Sequence, residues 1–104
     1  MGIINVVNRH HYDGVGIYVG RGTPLGNPEP LVHESDRIAN IERYRTWLRQ
    51  QWKSSGAAKR ELFWLAKLVN SGKSVDLVCS CAPHPCHADV IKTAILAIIN
   101  NHLM

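Results

Sequence analysis

The densest group of reactive side chains is the segment CSCAPHPCH at residues 79–87. In an extended strand Cys79 and Cys81 would point the same way, because side chains alternate with a two-residue period. Cys86 and His87 are expected in the first turn of a following helix. The helix dipole and the unpaired N–H groups at that position favour a thiolate over a thiol and attract an anion.

Three interpretations of this segment stay open. In the first, the three sulfurs and the imidazole of Cys79, Cys81, Cys86 and His87 bind tetrahedral zinc, although C-x-C-x4-C-H is not a standard zinc-finger spacing. In the second, the site is metal-free, and Cys86 is an activated thiolate or His87 a general acid–base or hydrogen-bond donor. In the third, the cysteines are small buried hydrophobic residues.

A second candidate segment is the loop GRGTPLGNP at residues 20–28. Its three glycines, Gly20, Gly22 and Gly26, let the backbone approach a ligand closely. Arg21 is suited to a phosphate or carboxylate, and Thr23 and Asn27 to a sugar or a base edge. The loop has neither the Lys-Ser/Thr of a phosphate-binding P-loop nor the dinucleotide-binding fingerprint. Arg45, one position past Tyr44, is a further candidate ligand contact.

Hydrophobic periodicity predicts the element order β-β-α-α-β-α. The expected strands are residues 3–7, 16–19 and 75–79, and the expected helices run from a Ser35 cap to about Lys53, over 57–70, and from about Pro85 to His102. The inward stripe of the first helix is predicted as Ile38, Ile41, Tyr44 and Leu48. This pattern indicates a small α/β domain, Rossmann-like, with a short and mostly parallel sheet in a two-layer or three-layer sandwich. Both unusual loops follow carboxyl ends of predicted strands, where open α/β sheets bind ligands.

The length of 104 residues suits one domain spanning residues 1–104. Twelve basic against eight acidic residues give a formal net charge of +4, which favours an anionic partner. The basic residues are scattered, so a duplex-DNA binder is not favoured. No signal peptide and no apolar run of about 20 residues is visible, so we expect a cytoplasmic protein without membrane contact. The apolar residues at the end of the last helix belong either to the core or to a homodimer interface. They are Ile98, Ile99, Leu103 and Met104.

The motifs IYVGRGTPLGNP and LVCSCAPHPCHADVI, with an amphipathic helix between them, resemble a family of phage, viral and bacterial proteins. It is the domain of unknown function 4326 (DUF4326), and the resemblance runs from about Ile4 to Ile91. This chain has Ser80 and Glu29 where the family often has aromatic residues. The resemblance supports the two loops as a site without naming a reaction. For a viral member it implies the host cytoplasm.

The combined expectation is a protein that binds a nucleotide or nucleoside between the two loops. Arg21 would neutralise the phosphate, Asn27 would orient the sugar or base, and Cys86 or His87 would face a glycosidic or phosphate bond if the protein is an enzyme. One alternative is a non-catalytic phage-type binder that sequesters a nucleotide signal or inhibits a host protein. The other is a small zinc-stabilised module that binds nucleic acid.

Overall fold

The computed structural model describes residues 1–14, 16–81 and 84–101. Its strands are β1 (Ile4–Asn8), β2 (Ile17–Tyr18) and β3 (Val75–Cys79). Its helices are α1 (Arg37–Trp52), α2 (Ala57–Asn70) and α3 (His87–Asn100). Short 3-10 turns lie at Arg9–His11 and Glu34–Asp36. The predicted α/β fold and its element order are confirmed.

The three strands form one parallel sheet in the order β1-β3-β2. Ile4 lies opposite Val75 at the start of the β1–β3 pair, and Ile17 lies opposite Leu77 in the β2–β3 pair. Because all strands run in the same direction, their carboxyl ends lie at one edge of the sheet. The loop after β2 and the turn after β3 therefore begin side by side.

All three helices contact one another, and the core that they share with the sheet uses only one set of alternating strand residues. Val75, Leu77 and Cys79 belong to that core, whereas Asp76 does not. On the opposite face the Tyr12 hydroxyl, from the connection between β1 and β2, donates a 2.6 Å hydrogen bond to Asp76 Oδ2. Of the two predicted layer arrangements, the structure has the two-layer one, in which helices cover a single face.

The helix interiors follow the predicted pattern. In α2 the buried residues include the expected Leu62, Leu65, Ala66 and Val69. The chain leaves α2 through Gly72, whose φ of +104° is a left-handed conformation that glycine adopts without a steric penalty. No helix in the part of the chain that the structure describes is long and apolar enough to cross a membrane.

Two features of α1 differ from the prediction. Ser35 is not its cap: it lies in the preceding 3-10 turn, and α1 begins at Arg37. Ile38 is 64% exposed instead of lying on the inward stripe. The reason is that Arg37, Ile41 and Tyr44 follow one another on the inner face, and Ile38 is rotated away from them.

The last helix is also shorter than predicted at its start. Cys86 is its N-cap, so α3 begins at His87 and not at Pro85. The predicted end at His102, and the residues Leu103 and Met104, lie outside the described residues. Ile98 is buried in the core and the partly buried Ile99 packs against it, so both residues make core contacts.

Candidate ligand-binding cleft

The two predicted loops meet in one cleft of about 270 Å³ at the carboxyl edge of the sheet. From the predicted site it is lined by Gly20, Arg21, Asn27, Cys81, Cys86 and His87. Its other walls come from Tyr18 at the end of β2, from residues 29–31, from Ser80 and from the first turns of α1. Residues from both predicted segments, 20–28 and 79–87, therefore line the same cleft.

The glycine loop is folded by its own hydrogen bonds. The Gly20 carbonyl accepts from the backbone N–H of Thr23 at 3.2 Å and from its hydroxyl at 2.7 Å, and Gly26 N–H donates to the Thr23 carbonyl. A Cβ on Gly26 would lie 2.4 Å from the Gly20 oxygen, so only glycine fits this closure. Gly22, Thr23 and Gly26 therefore shape the loop and do not line the cleft.

Asn27 lines the cleft but is already engaged in fixing the loop. Its amide nitrogen donates to Oδ1 of Asn40 at 2.7 Å, and its oxygen accepts from the Glu29 N–H at 3.0 Å. Asn40 is the buried polar residue of α1 and also donates to the Glu29 carbonyl. An amide has two donors and two lone pairs, so Asn27 retains one N–H and one lone pair for a ligand.

His87 fastens the beginning of the same loop. Its Nε2 lies 2.5 Å from the carbonyl oxygen of Val19. Because a carbonyl only accepts, Nε2 carries the proton, and in the neutral ring Nδ1 is then the nitrogen with a lone pair. The imidazole also meets the Tyr44 ring edge to face at a centroid distance of 5.2 Å. His87 therefore lines the cleft and also holds the start of the glycine loop in place through the Val19 carbonyl.

Tyr44 fastens the middle of the loop from α1. Its side chain is almost fully buried, and its hydroxyl donates a 2.6 Å hydrogen bond to the Leu25 carbonyl. Burial, together with the Cys86 sulfur, raises the pKa of the Tyr44 hydroxyl above its ordinary value. The hydroxyl therefore stays protonated and keeps donating.

Replacing Tyr44 with phenylalanine is expected to lower the free energy of unfolding by about 1–2 kcal/mol, because the buried Leu25 carbonyl loses its donor. Urea denaturation of both proteins measures the difference. Thr46→Ala is the matched control, because it removes an exposed hydroxyl that donates to the Glu42 carbonyl of the same helix. Equal unfolding midpoints for the wild-type and Tyr44→Phe proteins would contradict the role given to this hydroxyl.

The cysteines do not provide an activated thiolate at Cys86. The Cys86 thiol donates to the sulfur of Cys79 at 3.4 Å, and both residues are buried. This hydrogen bond and the burial raise the pKa of Cys86, and the helix N–H group that contacts its sulfur offsets only part of the effect. The expectation of a lowered pKa for Cys86 is therefore wrong, because burial beside another thiol outweighs the helix terminus.

The start of α3 is closed by its own residues. The Cys86 sulfur accepts from the helix backbone, and the Asp89 carboxylate accepts from the Cys86 N–H at 3.0 Å, which is a capping box. Asp89 thus caps α3, and among the described residues the His87 ring contacts the Val19 carbonyl and not Asp89. Within residues 1–14, 16–81 and 84–101, no three His, Cys, Asp or Glu side chains are placed to hold a metal ion together.

Two arginines give the cleft its positive charge. Arg21 is exposed and has no hydrogen bond or ion pair with any described residue. Arg37 is 15% exposed, binds the Glu34 carboxylate in a bidentate manner and donates to the Pro85 carbonyl at 2.9 Å. The Glu34 carboxylate and the Cys81 sulfur raise the pKa of Arg37, so it remains charged.

The cleft wall also carries one carboxylate, that of Glu29, and an ion pair neutralises its charge. Glu29 pairs with Arg43 at 2.6 Å, and this hydrogen-bonded contact lowers the pKa of the Glu29 carboxyl. Among the described lining residues, Arg21 is the charged side chain that is left without a partner. The cleft as a whole is therefore suited to an anion.

Besides Gly22, Thr23 and Gly26, two further residues predicted as ligand contacts do not line the cleft, and two lining residues were not predicted. Arg45 pairs with Glu42 and borders a separate groove between α1 and α3, not the cleft. Cys79 lies beneath the cleft in the core and does not line it. Arg37 and Asn40 line the cleft and were missed, although they precede Tyr44 at the three- and four-residue steps that mark the inner face of a helix.

Taken together, the fold and the cleft define a small two-layer α/β domain with a cationic cleft at the carboxyl edge of a parallel sheet. The chain belongs to the DUF4326 family, described as a domain of unknown function, whose family model matches residues 6–97. This confirms the resemblance seen in the two loop motifs. No curated protein and no solved structure matches the chain.

Proposed function

We propose that the protein binds a small anionic, nucleotide-like ligand in the cleft between residues 20–28 and 79–87. The observation that carries the proposal is the Arg21 guanidinium, which has no partner among the described residues and lines a cleft at the carboxyl ends of parallel strands. Charge-assisted hydrogen bonds from arginine to phosphate are among the stronger interactions in such sites. Ligands of open α/β sheets bind at this edge.

The other walls of the cleft fit the uncharged part of such a ligand. Tyr18, Ile41 and Leu31 offer apolar surface to a base or sugar, and Asn27 has one donor and one acceptor left for a polar edge. The volume of about 270 Å³ is near the lower limit of about 300 Å³ for ligand pockets. A mononucleotide or a phosphorylated sugar is thus a better match than a dinucleotide.

Binding without turnover is the form of this function that the geometry favours. Cys86 is a protonated thiol, and His87 Nε2 is committed to the Val19 carbonyl. Hydrolysis of a glycosidic bond usually needs two carboxyl groups, and among the described lining residues Glu29 is alone and paired with Arg43. Sequestration of a nucleotide signal, in the reducing cytoplasm of a bacterial or infected host cell, agrees with these properties.

The test is an NMR titration of ¹⁵N-labelled protein with AMP, GMP, UMP, ribose 5-phosphate, inorganic phosphate and adenosine. Phosphorylated ligands are expected to shift the backbone signals of Gly20, Arg21 and Cys81, and adenosine much less. Chromatography of the same samples after a day measures turnover, and unchanged nucleotide is the expected result. Absence of shifts with every phosphorylated ligand would reject the proposal, and product formation would establish the enzymatic alternative instead.

A further inference from the structure

Two of the three thiols are placed for direct bonding. The sulfurs of Cys79 and Cys86 lie 3.4 Å apart, at the end of β3 and at the N-cap of α3. Bonded sulfurs in a disulfide are about 2 Å apart, so rotation of the two side chains brings them together. Both residues are buried, with 0% and 3% of their surfaces exposed, so a bulky reagent does not reach Cys79 directly.

The third thiol is the accessible one. Cys81 is half-buried on the wall of the cleft, and the Arg37 guanidinium contacts its sulfur. An accessible thiol next to a cation is the usual setting of a reactive cysteine. Cys81 is also near the pair, because Cys81 and Cys86 line the same cleft. In agreement with this, a charge on the Cys81 sulfur contributes to raising the pKa of Cys86.

We propose that the three cysteines form a thiol relay, in which a low-molecular-weight disulfide such as oxidised glutathione reacts at Cys81 and leaves a disulfide between Cys79 and Cys86. In the first step the Cys81 thiolate attacks the reagent and releases one reduced glutathione. The Cys86 thiolate then attacks the Cys81 sulfur and releases the second. Finally the Cys79 thiolate attacks the Cys86 sulfur, and Cys81 recovers its thiol.

In these three steps together, two protein thiols and one small disulfide are converted to one protein disulfide and two small thiols. Cys86 holds its proton tightly, so the second step is slow and becomes faster as the pH rises. The product links the carboxyl end of β3 to the start of α3, directly beneath the cleft. The relay rests on the placement of the three cysteines and does not depend on the proposed ligand.

The test treats the reduced full-length protein with excess oxidised glutathione under native conditions and follows its intact mass after an acid quench. The expected product has lost about 2 Da, the mass of two hydrogen atoms, and carries no glutathione. All three cysteines lie between Lys73 and Lys92, so the linkage is located by differential alkylation and fragmentation of that one peptide. Alkylation before reduction should label Cys81 alone.

Three variants make the result decisive. Cys81→Ser should form the same Cys79–Cys86 disulfide at least about tenfold more slowly, because the accessible entry thiol is gone. Cys86→Ser keeps a good N-cap residue and should stop at a glutathione adduct on Cys81. Cys79→Ala, if circular dichroism shows it folded, should go one step further and stop at a disulfide between Cys81 and Cys86. In the wild-type protein, a final disulfide that includes Cys81 or a lasting glutathione adduct would overturn the relay. Loss of two hydrogens by Cys86→Ser would overturn it as well.

Discussion

Replacing Arg21 with alanine is expected to weaken the binding of a phosphorylated ligand by about 10- to 100-fold, the usual range for one charge-assisted contact. Arg21 has no described partner, so its removal leaves no buried group unsatisfied and the fold should be unaffected. Isothermal titration calorimetry with the ligand that gives the largest NMR shifts measures the change. Arg21→Lys, which keeps the charge but loses the planar fork, should fall between the two proteins.

The matched control for net charge is Arg60→Ala on α2, whose guanidinium donates to the Ser55 carbonyl and does not line the cleft. This variant should bind as the wild-type protein does at physiological salt. Equal weakening by Arg21→Ala and Arg60→Ala would show that only the overall charge of the protein attracts the ligand. Such a result would remove Arg21 from the site.

A second large effect is expected at alkaline pH. Raising the pH from about 8.5 to 10.5 should lower the free energy of unfolding by about 2 kcal/mol through Cys86 alone, at about 1.4 kcal/mol per pH unit. In the unfolded chain this thiol ionises near its ordinary pKa of 9.0, whereas in the folded protein its pKa is raised. The stabilisation is therefore complete below pH 9 and is lost as the pH rises toward the folded value. Tyr44, whose pKa is also raised, adds to the loss above pH 10.

Urea denaturation at several pH values, with a phosphine reductant present, measures this slope. Cys86→Ser has no ionisable thiol at the position and should show a flatter dependence above pH 9. The double variant with Tyr44→Phe should be flatter still. If the wild-type and Cys86→Ser proteins lose stability equally over this range, the raised pKa of Cys86 is not the cause.

The fold was largely predictable because its signals are local. Leu62, Leu65 and Val69 recur at helical spacing, and four of the five residues from Val75 to Cys79 are apolar, so the sequence predicts α2 and β3 at their observed bounds. Strand order and the single covered face were not predictable, since they depend on pairing between residues about 70 positions apart. The prediction that Ile38 points inward is wrong because the inner face of α1 lines the cleft, and not the core, at the first turn of the helix.

That the two loops lie close together could be predicted from the strand topology, but the roles of their individual side chains could not. Asn27 looked like a ligand contact, and only the positions of Asn40 and Glu29 show that most of its amide is used within the protein. Cys86 looked activated because a helix start can be read from sequence, whereas a second buried sulfur at 3.4 Å cannot. Arg37 was one of many scattered basic residues until its contacts with Glu34 and Pro85 placed it at the cleft.

The strand order also governs when the domain can assemble. Neither β1 nor β2 pairs with the other; both pair with β3, which is made only after residue 74. During synthesis the first 70 residues can form the local helices α1 and α2, but the sheet and the cleft must wait for the last third of the chain. Because such distant contacts carry the largest loop-closure entropy, docking of β1 onto β3 is expected to be the slow step of folding.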